Sequence, residues 1–211
     1  GGTWLDSNTG VALGHRRLSI IDLSKEGAQP MHSRDKRWVV VFNGEIYNHQ
    51  VLREAMPDHS FRGHSDTESL VEHVARFGVR DTLRKLNGMF AFAIWDREER
   101  CLWLARDRIG IKPLYYGQWD DTWLFSSELK SLAAFPGFQP KLNRRAVTSY
   151  LRFNYIPGPD TVYTNVHKLA PGHLVCLRRG QPAQPEAWWT TWDAATTSQQ
   201  NPFTGTETEL V

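Results

Sequence analysis

Trp38 leads into three consecutive valines and Phe42, an unbroken apolar run of the kind presented by a strand covered on both faces. The run stops at Asn43-Gly44-Glu45. Residues 49–56 then pair apolar positions at helical spacing, with Asn48 placed to cap them. Asn-Gly by itself is a strong hairpin signal, but a hairpin needs a second strand after the turn, and here a helix pattern follows. Upstream, residues 11–18 read as a strand and 24–37 as a loop. Downstream, Ser65 to Glu68 has the S-x-x-E form of a capping box, with Leu70, Val71, Val74, Ala75 and Phe77 at helical spacing behind it. Gly78 closes that helix, and residues 81–86 predict a shorter one ending at Asn87-Gly88. Short β-rich runs at 89–95, 101–105, 114–117 and 123–126 predict an antiparallel meander. Helices are expected over 127–134 and 143–153, the second capped by Asn143, and a strand over 173–179. Beyond Gln181 the patterning fades, and residues from about Thr190 read as a linker or the start of another element. Two strand groups with helices between them suit an α+β sandwich of sheets, although periodicity alone does not select it over other layered α+β folds.

A chain of 211 residues is long enough for one well-cored domain. Its basic and acidic residues are interspersed and nearly balanced, for a net charge of +2, so no basic face suggests a nucleic-acid partner. No apolar stretch approaches the roughly 20 residues needed to span a bilayer, and no signal pattern opens the chain, so a cytoplasmic location without membrane association is expected. The two cysteines, Cys101 and Cys176, lie far apart in strand-like segments and read as buried thiols. The histidines show neither H-E-x-x-H nor Cys/His ligand spacing, so no metal site is expected. The tryptophans fall mostly in strand-like runs, where core packing is the simpler reading.

Three groups carry candidate chemistry. Arg17, just after a strand-like segment, offers a guanidinium fork for a carboxylate; the plain alternative is a solvated arginine. Asp66 sits in the first turn of a helix, where the macrodipole stabilises any acid. Asn43 and Gly44 offer a carboxamide and an unshielded N–H to a developing oxyanion, with the Glu45 carboxylate beside them. Brought together, the three would complement a free amino acid bearing a side-chain amide: Arg17 for the α-carboxylate, Glu45 and Asp66 for the α-ammonium, Asn43 and Gly44 for the amide carbonyl.

A series of ordered blocks then resembles a known family. His15-Arg16-Arg17-Leu18-Ser19-Ile20-Ile21-Asp22, Gly27-Ala28-Gln29-Pro30-Met31, Phe42-Asn43-Gly44-Glu45-Ile46-Tyr47-Asn48-His49, Ser65-Asp66-Thr67-Glu68, Leu86-Asn87-Gly88-Met89-Phe90 and Ala105-Arg106-Asp107-Arg108-Ile109-Gly110-Ile111-Lys112-Pro113 are similar to the glutaminase domain of glutamine-hydrolysing asparagine synthetases. So are Phe125-Ser126-Ser127-Glu128-Leu129-Lys130 and Lys168-Leu169-Ala170-Pro171-Gly172-His173. The resemblance runs from about Gly2 to Trp189. It implies a class II glutamine amidotransferase with the N-terminal nucleophile hydrolase fold, a four-layer αββα sandwich of antiparallel sheets. Residues 1–189 would be that domain, truncated at its N-terminus, and 190–211 a linker leading into a synthetase domain.

By the same resemblance Arg17 binds the glutamine carboxylate, with Leu18, Ile20 and Ile21 shaping the pocket. Asn43 and Gly44 form the oxyanion hole, and Glu45 and Asp66 hold the α-amino group. The family's nucleophile is a cysteine at the mature N-terminus, which attacks the amide, releases ammonia and leaves a glutamyl thioester for water. That cysteine is absent here, so the chain is expected to recognise glutamine without hydrolysing it. No cofactor is expected in this chain; ATP and Mg2+ belong to the synthetase domain, the expected partner in the same polypeptide, which would transfer ammonia to activated aspartate. The alternatives are an amidotransferase for another acceptor, such as a sugar carboxylate or a closing β-lactam ring, and a cysteine-less binding or regulatory module. Strand edges left open by the truncation predict a homodimer or aggregation.

Overall fold

The computed structural model describes residues 1–16, 25–202 and 204–205. Its strands and helices, in chain order, are β1 (Gly2–Asp6), β2 (Val11–His15), β3 (Met31–His32), β4 (Trp38–Ile46), α1 (His49–Glu54), α2 (Asp66–Phe77), α3 (Val79–Lys85), β5 (Gly88–Asp96) and β6 (Cys101–Arg106), then β7 (Tyr115–Trp119), β8 (Thr122–Ser126), α4 (Leu129–Leu132), α5 (Arg144–Phe153), β9 (Val166–Lys168), β10 (His173–Leu177), β11 (Glu186–Ala187) and α6 (Thr191–Gln200). Six strands form one antiparallel sheet in the order β11-β10-β6-β5-β4-β3; β8-β7-β9 and the β1-β2 hairpin are separate antiparallel units.

The apolar run of β4 follows from its position. Val40, Phe42 and Ile46, with Phe90, Phe92 and Ile94 of β5, meet Leu52 of α1, Leu70, Val71 and Val74 of α2 and Leu83 of α3. On the opposite face Val39 and Val41, with Ala91, Ala93, Leu104 and Val175, meet Leu13 of β2 and Leu114 and Tyr116 beside and on β7. A strand in a middle layer has no solvent-facing side to keep polar. The layers run helix, sheet, sheet, and α4 packs on β8 beyond them.

Several expectations are corrected. β4 does not stop at Asn43 but continues through Gly44 to Ile46, paired with β5 throughout. Asn48 does not cap α1. Its carboxamide donates to Lys85 O and accepts from Asn87 N–H, both at 2.8 Å, which ties the start of α1 to the end of α3. Ser65 Oγ does accept the Glu68 N–H at 3.2 Å, whereas the Glu68 carboxylate turns away to the N–H groups of Arg62 and Gly63. The predicted meander divides: β5 and β6 are neighbours, but β7 and β8 join β9 in the other layer. The loop predicted over 24–37 contains β3, and the faded region includes α6, capped by Thr190 Oγ1 on the Asp193 N–H, with no buried residue.

The chain leaves β6 at a buried corner. The Asp107 carboxylate, fully buried, accepts N–H groups from Phe90 at 3.2 Å, Ile111 at 2.9 Å and Lys112 at 3.0 Å. Its neighbour Arg106 donates to the carbonyls of Gly110, Lys112 and Leu169, each at 2.7 Å. Together they fix the loop that carries the chain from one layer to the other.

α2 buries acids as well as leucines. Glu72, 4 % exposed, lies 3.4 Å from Arg62 and accepts the Arg34 N–H at 2.9 Å. Burial dominates all the same, and pushes its carboxyl from 4.5 up to about 7. The folded chain therefore holds this proton through a range where the unfolded chain has released it. The group's stabilising contribution is whole below pH 4.5 and is lost as pH rises through about 7. In urea melts, wild type should lose up to about 3 kcal/mol relative to Glu72→Gln across that interval. His32, His49, His59 and His73, lowered chiefly by burial, act in the opposite sense; His32, His49 and His73 are common to both proteins, whereas His59 lies 3.5 Å from the replaced carboxylate. A pH-independent difference would contradict the assignment.

Candidate functional site

A cleft of about 1050 Å³ opens between the two β layers. Thr3 and Gly14 of the β1-β2 hairpin line one side, Asn43 and Ala93 the six-stranded sheet, and Leu114 and Ser127 the β7-β8 side. The alternation that points Val39 and Val41 toward this layer also carries Asn43 and Glu45 to the same face. The Asn43 carboxamide is half-buried, and its Nδ2 lies 3.5 Å from Ser127 Oγ, a long contact that leaves it available to a better acceptor.

The backbone of β4 contributes as much as its side chains. In an antiparallel ladder, alternate residues turn their N–H away from the neighbouring strand. On the edge away from β5, the Phe42 N–H donates to Gln29 Oε1 at 2.6 Å and the Ile46 N–H to Asp66 Oδ2 at 3.0 Å. Gly44 lies between them in the same parity, and no acceptor among the described residues takes its N–H. Gln29 Nε2 in turn donates to Thr67 Oγ1 at 3.2 Å, and Asp66 Oδ1 accepts the Thr67 N–H at 2.8 Å. The N-terminus of α2 is thus fastened along this edge on both sides of one free donor. A free N–H next to a half-buried carboxamide can receive negative charge that develops on an oxygen.

Glycine is required at position 44. Its φ is +153°, and a Cβ there would lie 2.1 Å from Met89 O and 2.7 Å from Phe90 Cα. Gly88, across the ladder, is as tight: its Cβ would meet Glu45 O at 2.2 Å.

Of the predicted site residues, Asn43, Gly44, Glu45 and Asp66 come together around the end of β4. Arg17, Leu18, Ile20 and Ile21 lie outside the described residues. Asp66 is buried and spends one oxygen on β4, so it fastens the strand end. The Glu45 carboxylate makes no hydrogen bond or ion pair among the described residues. Two residues escaped sequence reasoning. Gln29 is buried, and only its polar character in a Gly-Ala-Gln-Pro-Met loop signalled that it might fasten something. His49, directly after the Asn43–Asn48 segment, feels the charges of Asp66 and Glu45, yet burial lowers its pKa; its Nδ1 is buried without a hydrogen-bond partner. No group of three or more His, Cys, Asp or Glu among the described residues could hold a metal ion, and no helix of the described residues is long and apolar enough to cross a membrane.

Cys101 and Cys176 do not face the cleft. They share a sheet face with Ala105 and Leu174, which pack against the helices, on the side opposite Asn43.

Comparison with known proteins supplies a context for this geometry. Residues 1–189 match the model of the glutamine amidotransferase domain. Over 170 residues the chain is 39 % identical to the glutamine-hydrolysing asparagine synthetase 1 of Bacillus subtilis, covering 80 % of this chain and 26 % of that protein. It is 37 % identical to a putative glutamine-hydrolysing asparagine synthetase 2 of Methanocaldococcus jannaschii, covering 77 % and 34 %, and 35 % identical to amidase chry2 of Gibberella zeae, covering 89 % and 27 %. The chain thus spans about a quarter to a third of the length of these relatives. Among solved structures, the glutamine phosphoribosylpyrophosphate amidotransferase of B. subtilis superposes with a TM-score of 0.60 at 21 % identity, over 84 % of this chain and 35 % of that one.

Proposed function

Because this chain belongs to the class II glutamine amidotransferase family, we propose that the end of β4 recognises glutamine and that the complete enzyme hydrolyses it there to glutamate and ammonia for the amidation of ATP-activated aspartate. The observation that carries this reading is the Gly44 N–H, without an acceptor among the described residues, held between two fastened neighbours and beside the Asn43 carboxamide. As a cysteine sulfur attacks the amide carbon, charge moves to the carbonyl oxygen, and these two donors take it. Ammonia leaves, and water then releases glutamate from the thioester. Glu45 and Asp66 supply negative charge for the α-ammonium group, and Arg17 the cation for the α-carboxylate.

Neither cysteine of this chain is the attacking group, since both lie on the other face of the sheet. In the family's mechanism the attacking group is an N-terminal cysteine. ATP and Mg2+ are assigned to a synthetase domain of the same polypeptide; no step on this chain runs through either.

In the enzyme expressed from its full coding sequence, Asn43→Ala should lower kcat for glutamate release about 10²–10³-fold, with KM for glutamine nearly unchanged. A variant retaining full kcat would remove Asn43 from the oxyanion hole. Similarity of the same order to amidase chry2 favours a second reading, in which the ammonia goes to another acceptor. ATP-dependent formation of asparagine from aspartate and glutamine selects the first; glutamine hydrolysis without asparagine selects the second.

A further inference from the structure

The two cysteines, remote in sequence, meet across adjacent strands. In the β6-β10 register Cys176 lies opposite Trp103, so Cys101 is its diagonal neighbour on the same sheet face. Continuing that register sets Arg178 opposite Cys101, on the face that carries both sulfurs. A second cation, Arg80, lies 4.9 Å above the Trp103 ring and pairs with Glu186 of β11. On the other side of Cys101, across β5, stands Asp96, which is bound by Arg37. Arg178 therefore acts on both thiols, with Arg80 adding positive charge toward Cys176 and Asp96 negative charge toward Cys101. The Cys101 thiol, 1 % exposed, is raised, chiefly by its neighbour Cys176 and also by burial. Cys176 is partly exposed and is lowered to about 7, first by its neighbour Cys101 and then by Arg178 and Arg80. An accessible thiolate beside a protonated partner is the arrangement of a peroxide-reactive cysteine with its resolving thiol.

We infer that Cys176 and Cys101 are a peroxide-reactive pair, with Cys176 the attacking and Cys101 the resolving sulfur. The Cys176 thiolate attacks one peroxide oxygen and the O–O bond breaks; the departing hydroxide takes a proton and leaves as water, and Cys176 becomes a sulfenic acid. The Cys101 sulfur then attacks the Cys176 sulfur and displaces hydroxide, which leaves with the Cys101 proton as a second water. Two thiols and one hydrogen peroxide give one disulfide and two waters. β6 begins at Cys101 and β10 ends at Leu177, so the pair sits at a sheet end where the strands can close to bonding distance without breaking interior pairs.

The test treats the full chain with hydrogen peroxide and reads intact mass and proteolytic peptides. The expected product has lost two hydrogens and yields a linked peptide joining Cys101 and Cys176. Cys101→Ala should instead accumulate a sulfenic acid at Cys176 that dimedone traps, and Arg178→Gln should slow oxidation about tenfold by reducing the thiolate fraction near pH 7. Unchanged mass under peroxide that fully oxidises free glutathione would overturn the inference. So would dimedone labelling of Cys101 in Cys176→Ala.

Discussion

Gly44→Ala is expected to destabilise the domain by about 3–5 kcal/mol, combining strain at an unfavourable φ with overpacking between two central strands. The added methyl would sit 2.1 Å from Met89 O, and that atom belongs to the backbone of β5, which no side-chain rotation can move. Relief requires parting β4 from β5, and with them the two cores that share these strands. Activity should fall further than stability, since the same shift displaces the Gly44 N–H. Gly14→Ala is the matched control: it too is a strand glycine, lining the cleft, but its nearest atom would be Thr3 Cγ2 at 4.0 Å, and a change within about 0.5 kcal/mol is expected. Urea melts of the two variants decide the matter; equal midpoints would show that the close approach at Gly44 is not limiting.

Asp107→Ala should cost a similar amount, about 3–5 kcal/mol, for a different reason. It strands the N–H groups of Phe90, Ile111 and Lys112 and removes a countercharge from the half-buried Arg106 guanidinium. Asp107→Asn should fall in between. Its carbonyl oxygen can keep the Phe90 and Lys112 bonds, while its NH2 would face the Ile111 donor. Stability that follows the order Asp, Asn, Ala supports the hydrogen-bond account, and an asparagine variant as stable as wild type would refute it.

How much of this was legible in the sequence depends on the range of the interaction involved. The doubly covered strand at Trp38–Phe42, the Ser65 cap, Gly78 and the Asn143 cap were legible, because each is a local pattern with a local cause. The end of β4 was misread because Asn-Gly signals a turn, whereas Gly44 stays extended so that β5 can approach its backbone. Asn48 was misread as a cap because its partners, Lys85 and Asn87, come from another helix end. The division of the apparent meander depends on the Arg106–Asp107 corner, whose partners reach Leu169. The proximity of Cys101 and Cys176 follows from the placement of β10 beside β6, a long-range pairing that neither strand announces. At the site, complementary charge singled out Asn43, Gly44, Glu45 and Asp66 without any topology, and the fold brings those four together around the end of β4; their roles toward glutamine are those proposed. Gln29 required the fold.

The fastening of β4 on either side of Gly44 also has a kinetic signature. The amide protons of Phe42 and Ile46 are held by buried side chains and should exchange with solvent deuterium only when α2 and β4 come apart, a slow event. The Gly44 proton, on the same edge, has no such partner among the described residues and should exchange faster than its two neighbours on that edge. A carbonyl oxygen bound in the cleft would slow that one site and leave its neighbours unchanged, so occupancy can be followed at one atom without any turnover.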